Sequence, residues 1–335
     1  SVTSTDAVHN EQNVFLRSVV VGNESDKERD IKVFFAQQFR IDESRRGDTG
    51  YYDPRTHTIV HYKGQVAFSV CAMCDGEYFH EYNIGLFGIE GKEGTYKDAE
   101  DGLLSQNPIE HGSVDSVLAV AKTVAGQEFM TAEYWLVCGH TIEEIRALQQ
   151  YVLDETPARL IRTTERYWHA WLQKEVVTHE CLSSSIIDLY QRSLFIMRTH
   201  TGDNGAIIAS SDTDMLHHGR DTYSYVWPRD GAIIAHAFDE AGYPDTAKRF
   251  FSFITACIEK DGYLMHKYSP DGALGSSWHA WLQDGESILP IQEDETALVL
   301  YMLYEHYWVE KDLEYIESLY NPFIEPAAEF MVRFI

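Results

Sequence analysis

The hydrophobic period of this chain changes once, near residue 141, from two to 3.6. Before that point apolar runs are short, β-branched and aromatic. Val14 to Val21 and Ile31 to Phe35 flank the polar turn Gly22-Asn-Glu-Ser-Asp26, and the pattern predicts that they pair antiparallel. His57 to Tyr62 and Gln65 to Val70 read as a second hairpin across Lys63-Gly64. Val114 to Val124 and Glu128 to Val137 read as a third across Ala125-Gly126-Gln127. Hairpins repeated without crossover helices imply an antiparallel sandwich. Asn23-Glu-Ser25 has the form of an N-glycosylation acceptor, but so short a triplet arises often by chance.

After residue 141 the stripes are helical. Ile142, Ile145, Leu148 and Val152 mark one face of a helix, and Thr156 to Lys174 reads as a linking helix on which Tyr167, Trp168 and Trp171 cover another element. Further stripes follow: Leu182, Ile186, Leu189, Tyr190, Leu194 and Met197; Ile233, Ile234, Ala237, Phe238 and Ala241; Ala247, Phe250, Phe251, Ile254 and Ile258. Gly242-Tyr-Pro244 stops one helix and starts the next, which makes an αα-hairpin. Ala297, Leu300, Tyr301, Tyr304 and Trp308 continue the series, then Leu313, Ile316 and Leu319, then Ile324, Ala327, Ala328 and Met331. The last stripe meets no Gly or Asn stop before Ile335, and the chain opens on Ser rather than Met, so the helical domain is expected to continue and the start to be trimmed.

Composition narrows the partners. The 335 residues carry 27 basic and 53 acidic side chains, a net charge of −26, which repels a phosphate backbone and leaves no nucleic-acid surface. Apolar runs stop well short of the roughly 20 residues that a membrane-spanning helix needs. Neutral or cationic partners fit. Five cysteines, Cys71, Cys74, Cys138, Cys181 and Cys257, are an odd number thinly spread in a chain large enough to bury its own core, and point to a reducing, cytoplasmic location, with secretion left open by the absent start. Cys71-Ala-Met-Cys74 has redox or metal spacing, yet no second pair follows, and a structural role is the better reading. The adjacent pair His217-His218 is read the same way, so neither metal nor cofactor is expected.

Two connections, Thr199 to Tyr225 and Glu259 to Gln292, are too long for helix-helix turns, and loops of this length in a compact domain are commonly functional. The first leads into Tyr223-Ser-Tyr225-Val-Trp227-Pro-Arg229-Asp230, with Asp230 where a helix N-cap would stand. The second holds His266-Lys267-Tyr268 and Gly275-Ser-Ser-Trp278-His279-Ala-Trp281. Rings mixed with charged side chains suit a sugar, whose C–H faces stack on aromatics and whose hydroxyls take hydrogen bonds from paired polar groups. Gln292-Glu293-Asp294-Glu295-Thr296 opens a helix, where acidic residues complement the dipole; consecutive carboxylates there face different ways and would not flank one glycosidic bond.

These segments together resemble the glucoamylase-like glycoside hydrolases of family 15, in the prokaryotic branch that includes glucoamylase, glucodextranase and certain trehalases. Asn13-Val-Phe-Leu-Arg17, Tyr51-Tyr-Asp-Pro54, His61-Tyr-Lys-Gly64, Asp98-Ala-Glu-Asp-Gly102 and Gly112-Ser-Val-Asp-Ser116 are similar to the family's N-terminal β-supersandwich. The Trp-Pro-Arg-Asp segment, His266-Lys-Tyr268, Gly275-Ser-Ser-Trp278 and Leu289-Pro-Ile-Gln-Glu-Asp-Glu-Thr-Ala297 are similar to the opening third of its (α/α)6 barrel.

The resemblance implies a β-then-α chain: a supersandwich incomplete at its start over residues 1–140, a helical linker over 141–178, and the first portion of the barrel over 179–335. It implies an inverting, exo-acting α-glucosidase that takes terminal glucose from a neutral α-glucan or oligosaccharide. Tyr223, Trp227, Arg229, Asp230 and Trp278 would bind substrate, with His266, Lys267, Gln292 and Glu293 as secondary contacts. The family's acid and base glutamates lie on later segments that do not occur before Ile335, so the isolated chain is expected to be inactive, with the rest of a parent polypeptide completing the barrel. Starch-type, dextran-type and trehalose linkages stay open, as does a carbohydrate-binding protein without catalysis.

Overall fold

The computed structural model describes residues 1–41, 46–173, 182–211 and 221–334, apart from the Glu293 side chain. His217, His218 and Cys181 lie outside the described residues. Two compact units divide the chain, Ser1–Gln173 and Lys174–Ile335.

The first unit is antiparallel throughout. Its strands are β1 (Val2–Val8), β2 (Val14–Gly22), β3 (Arg29–Gln38), β4 (Asp48–Asp53), β5 (Thr58–Lys63), β6 (Val66–Cys74), β7 (Glu77–Tyr78), β8 (Glu81–Leu86), β9 (Ile109–Gly112), β10 (Val114–Val124) and β11 (Phe129–Gly139). One sheet runs β1-β2-β11-β6-β5-β4-β9, with β7 on β6; the other runs β3-β10-β8. Both sheets feed one core, in which Leu16, Ile59, Val70 and Trp135 of the larger meet Phe35, Ile84, Leu118 and Val124 of the smaller. Removing such side chains from water is the main stabilising term, at about 1.5 to 3 kcal/mol for each one fully buried.

The second expected hairpin forms, with Lys63 opposite Val66, so its turn is Gly64-Gln65, one residue later than the pattern predicts. The first and third do not. β2 pairs with β1 and β11, whereas β3 pairs with β10, so the turns at residues 23–28 and 125–128 are arches between sheets. A polar turn with a glycine serves either purpose, and the shared core decides, because it needs β2 and β11 in one layer and β3 and β10 in the other. The two arches lock together through Asn23, which is buried and donates Nδ2 to the carbonyls of Lys27, Val124 and Ala125 at 2.8, 3.0 and 3.0 Å. Gly126 permits this contact, since a Cβ there would sit 2.5 Å from the Asp26 backbone. The Asn23 amide is therefore consumed by the fold rather than offered for glycosylation.

Helices α1 (Ile142–Glu155) and α2 (Pro157–Leu172) pack on the larger sheet, with Ile145, Val152 and Leu160 in its core. Thr141 caps α1 by accepting from Glu144 N–H, and Glu144 turns back to accept from His140 N–H. Gln149 accepts from the Trp135 indole and donates to Ser69, tying helix to sheet. Tyr167 is exposed, and Trp168 meets Tyr167 and Trp171 edge to face. Cys71 and Cys74 sit three apart on β6, where side chains alternate in direction, and burial raises both thiol pKa values.

The second unit contains α3 (Ser184–Thr199), α4 (Pro228–Glu240), α5 (Pro244–Cys257), α6 (Glu293–Glu310), α7 (Leu313–Leu319), a π turn at Tyr320–Ile324, and α8 (Glu325–Phe334). α4 packs on α5 and α6, and Gly242 at φ 81° with Pro244 at the first turn of α5 makes the expected helical hairpin. Three stripes fall differently from the pattern. Ile233 is exposed while Gly231, Ala232, Ala235 and Phe238 are buried; Tyr301, Tyr304 and Trp308 are exposed while Val299, Leu303 and His306 are buried. On α3, Leu194 is buried but Ile186 and Leu189 are exposed. α6 is apolar on every side, so no phase of the helix stands out in its sequence. Among the described residues, no helix is long and apolar enough to cross a membrane.

Replacing Asn23 by Ala should destabilise the β unit by roughly 2 to 3 kcal/mol, since three carbonyls lose their donor. A lowered urea midpoint with an unchanged m value checks this.

Candidate functional site

The two long connections meet by backbone pairing. Val226 and Tyr268 exchange both of their hydrogen bonds, at 2.8 and 2.9 Å, and Gly275 N–H donates to Lys267 C=O at 2.9 Å. Tyr268 is pinned from its other end, where its hydroxyl donates to Cys257 C=O and accepts from Met265 N–H. Trp227 follows Val226, and His266 and Lys267 precede Tyr268, so the pairing brings these side chains together.

The rings form a continuous cluster. Tyr223 lies 5.7 Å from Trp227, Trp227 lies 6.2 Å from His266, and His266 lies 4.7 Å from Trp278. Lys267 is the cation at its centre: only 1% exposed, its Nζ lies 4.3 Å from the Tyr225 ring, 5.1 Å from Trp227 and 5.4 Å from Trp278. A buried ammonium needs a counter-charge, and Asp221 supplies it at 2.6 Å while also accepting from Ser276 Oγ at 2.7 Å. Burial opposes the charge on Asp221, but these hydrogen bonds prevail and hold its carboxyl below the usual range. Trp278 and Tyr223, 71% and 52% exposed, present the open part of the cluster.

A charged network adjoins the rings at the start of two helices. Trp227 is the N-cap of α4 and Pro228 its first residue, which places Asp230 in the first turn rather than at the cap. Proline fits there because that position has no partner for an N–H. Arg229 donates to Gln292 Oε1 at 2.7 Å, just before α6, and pairs with Asp294 at 3.3 Å and Asp230 at 3.4 Å. The Asp230 side chain keeps 47% of its surface exposed. Hydroxyls arriving here would meet fixed carboxylates and a guanidinium beside two helix N-termini.

Behind this surface, Glu295 and His266 are sealed, at 0% and 1% exposure, with Glu295 Oε1 3.6 Å from His266 Nδ1. Burial pushes the Glu295 carboxyl up to about 9, against the pull of Arg229. Burial, aided by His279 and Lys267, pushes His266 down to about 4.

The structure thus brings Tyr223, Trp227, Trp278, His266 and Lys267 into one cluster, with Arg229, Asp230 and Gln292 beside it. Glu293 opens α6, but its side chain lies outside the described residues. Sequence reasoning missed Asp221, Tyr225, Asp294 and Glu295. Tyr225 lies between Tyr223 and Trp227 in the first aromatic segment, and the spacing of the acidic run allows one member to turn inward; nothing in the sequence pairs Asp221 with Lys267. Among the described residues, no three His, Cys, Asp or Glu side chains group so as to hold a metal ion.

The model of the family described as glycosyl hydrolases family 15 matches residues 186–334. The chain is similar to family 15. That match spans the whole aromatic and charged cluster. An uncharacterized glycosyl hydrolase of Methanocaldococcus jannaschii is 24% identical over 336 aligned positions, covering 98% of this chain and 51% of the relative. The chain therefore spans about half the length of that relative. A crystal structure of bacterial glucoamylase complexed with acarbose superposes with a TM-score of 0.75 at 18% identity, covering 99% of this chain and 46% of the other. A putative kojibiose phosphorylase from human microbiome superposes at 0.54 with 11% identity, over 94% of this chain and 40% of the other. β-sheets followed by helices are the fold shared with the glucoamylase.

Lys267→Met should cost about 2 kcal/mol of stability in the helical unit, because Asp221 loses its partner although it can still reach water. Thermal unfolding followed by tryptophan emission measures it.

Proposed function

We propose that this chain carries the sugar-recognition half of an inverting, exo-acting α-glucosidase of glucoamylase type. On this reading its helical unit is the opening part of an (α/α)6 barrel, following a β-supersandwich. One observation supports it above the others: two exposed rings, Trp278 and Tyr223, stand in a cluster that adjoins Arg229 and Asp230 at the start of α4. A pyranose would stack a C–H face on Trp278, and its hydroxyls would bond to Arg229 and Asp230. Lys267, caged by rings, and Gln292, held by Arg229, would fix the pocket wall.

The carboxyls in hand suit recognition better than acid-base work. Asp221 is paired with Lys267, Asp230 and Asp294 share Arg229, and Glu295 holds a proton but has no exposed surface from which to deliver it. Inversion requires two carboxyls about 6.5 to 9.5 Å apart with water between sugar and base. In this proposal both come from polypeptide outside the chain, which alone binds sugar without cleaving it.

The test is glucose release from maltose, isomaltose and trehalose by the longer polypeptide, with the anomer of the product read by NMR. β-Glucose from one of the three is expected, and which one assigns the linkage; no release by a folded protein overturns the proposal. In the same protein Asp230→Ala should lower kcat/KM by about 1.5 to 3 kcal/mol, the contribution of hydrogen bonds to a charged group. An unchanged kcat/KM would remove Asp230 from the site.

A further inference from the structure

We propose that His266 and Glu295 are a positioning pair that shares one proton, Glu295 donating to His266 Nδ1, and that this pair sets the orientation of the Trp227 and Trp278 rings. The inference rests on the sugar-binding reading only for its consequence, not for the pair itself.

Four polar atoms are involved, both carboxyl oxygens of Glu295 and both ring nitrogens of His266, and all four are buried without a hydrogen-bond partner among the described residues. Such atoms are rare in folded proteins because each forfeits its bonds to water. Here they lie together, with Glu295 Oε1 3.6 Å from His266 Nδ1, so a small rotation of the carboxyl brings them into hydrogen-bond range. Two ionised groups would suit this geometry as an ion pair, but neither reaches solvent, and isolation from water favours the neutral form of each. The carboxyl keeps its proton and the imidazole does not take a second one. Exchange is balanced: the proton stays on Glu295 Oε1 and is accepted by the Nδ1 lone pair, leaving the His266 N–H on Nε2.

The charged and titratable groups facing the pair oppose one another. Arg229 from α4 and the N-terminus of α6 favour an ionised Glu295, whereas Asp230 and Asp294 disfavour it. From the connections, His279 and Lys267 hold His266 neutral and Asp221 acts the other way. Burial is the first cause for both groups: at Glu295 it outweighs Arg229, and at His266 Arg229, Lys267 and His279 act with it.

The pair orients two tryptophan rings. The His266 ring meets Trp278 edge to face at 4.7 Å and 71°, and Trp227 at 6.2 Å and 85°. An imidazole fixed in its plane by a hydrogen bond on Nδ1 fixes both contacts; a free one rotates and releases them.

The test uses this chain. Nitrogen-15 NMR of the imidazoles at pH 7 should show His266 neutral, with Nδ1 bare and Nε2 protonated; a proton on Nδ1, or titration at the ordinary histidine pKa, overturns the pair. Glu295→Gln keeps an N–H donor and should preserve the near-ultraviolet tryptophan signal and maltose affinity within about threefold. Glu295→Leu keeps the volume but not the donor, and should alter that signal and weaken maltose binding at least tenfold while remaining folded. A leucine variant with wild-type spectrum and affinity refutes the positioning role. If the wild type binds no maltose but shows the expected tautomer and spectral responses, the sugar reading falls and the pair stands.

Discussion

Lys267 is an ammonium with almost no access to water, and the arrangement of the site follows from the need to keep it there. Charge in a low-dielectric interior is tolerated only when it is paired and surrounded by polarisable groups. Asp221 neutralises it, and three ring faces replace its hydration. Those contributions come from both connections, so neither loop can take its conformation alone. The exchange of hydrogen bonds between Val226 and Tyr268 holds the loops in register, and the cage closes around the side chain next in line.

This organisation explains how a strongly acidic chain builds a site centred on two cations. Arg229 gathers Asp230 and Asp294 from the first turns of α4 and α6, and Lys267 takes the single carboxylate of Asp221 from the first connection. Exposed rings then stand beside hydrogen-bonding groups already fixed by ion pairs. Such a surface is preorganised, and a neutral, hydroxyl-rich ligand would not disturb its charge balance. Glu295 and His266 stay uncharged beneath it because solvent does not reach them, which separates a proton-holding layer from a charged outer layer.

Much of the architecture was legible where a local pattern has one physical meaning. The change of period at residue 141 coincides with the Thr141 cap and the start of α1, and Gly242-Tyr-Pro244 forms the turn that its residues favour. Legibility failed where one pattern serves two structures. The turn around Asn23 could close a hairpin or cross between sheets; the core shared by the two sheets decides for the crossing, and the buried contact of Asn23 with Val124 and Ala125 locks it. The even apolarity of α6 likewise hid which residues face inward, so Tyr301 and Trp308 proved exposed and His306 buried.

The chain read alone determines the order of β then α, the two long connections, and the residue types from which a sugar site could be assembled. These are local properties: periodicity, turn chemistry and composition act over a few residues. Tertiary structure decided which strands share a sheet, that Asp230 lies in the first turn of α4 rather than at its cap, and that Asp221 and Glu295 serve Lys267 and His266. These are pairings between distant residues, and their energies depend on burial, which no single segment specifies until the others have closed around it.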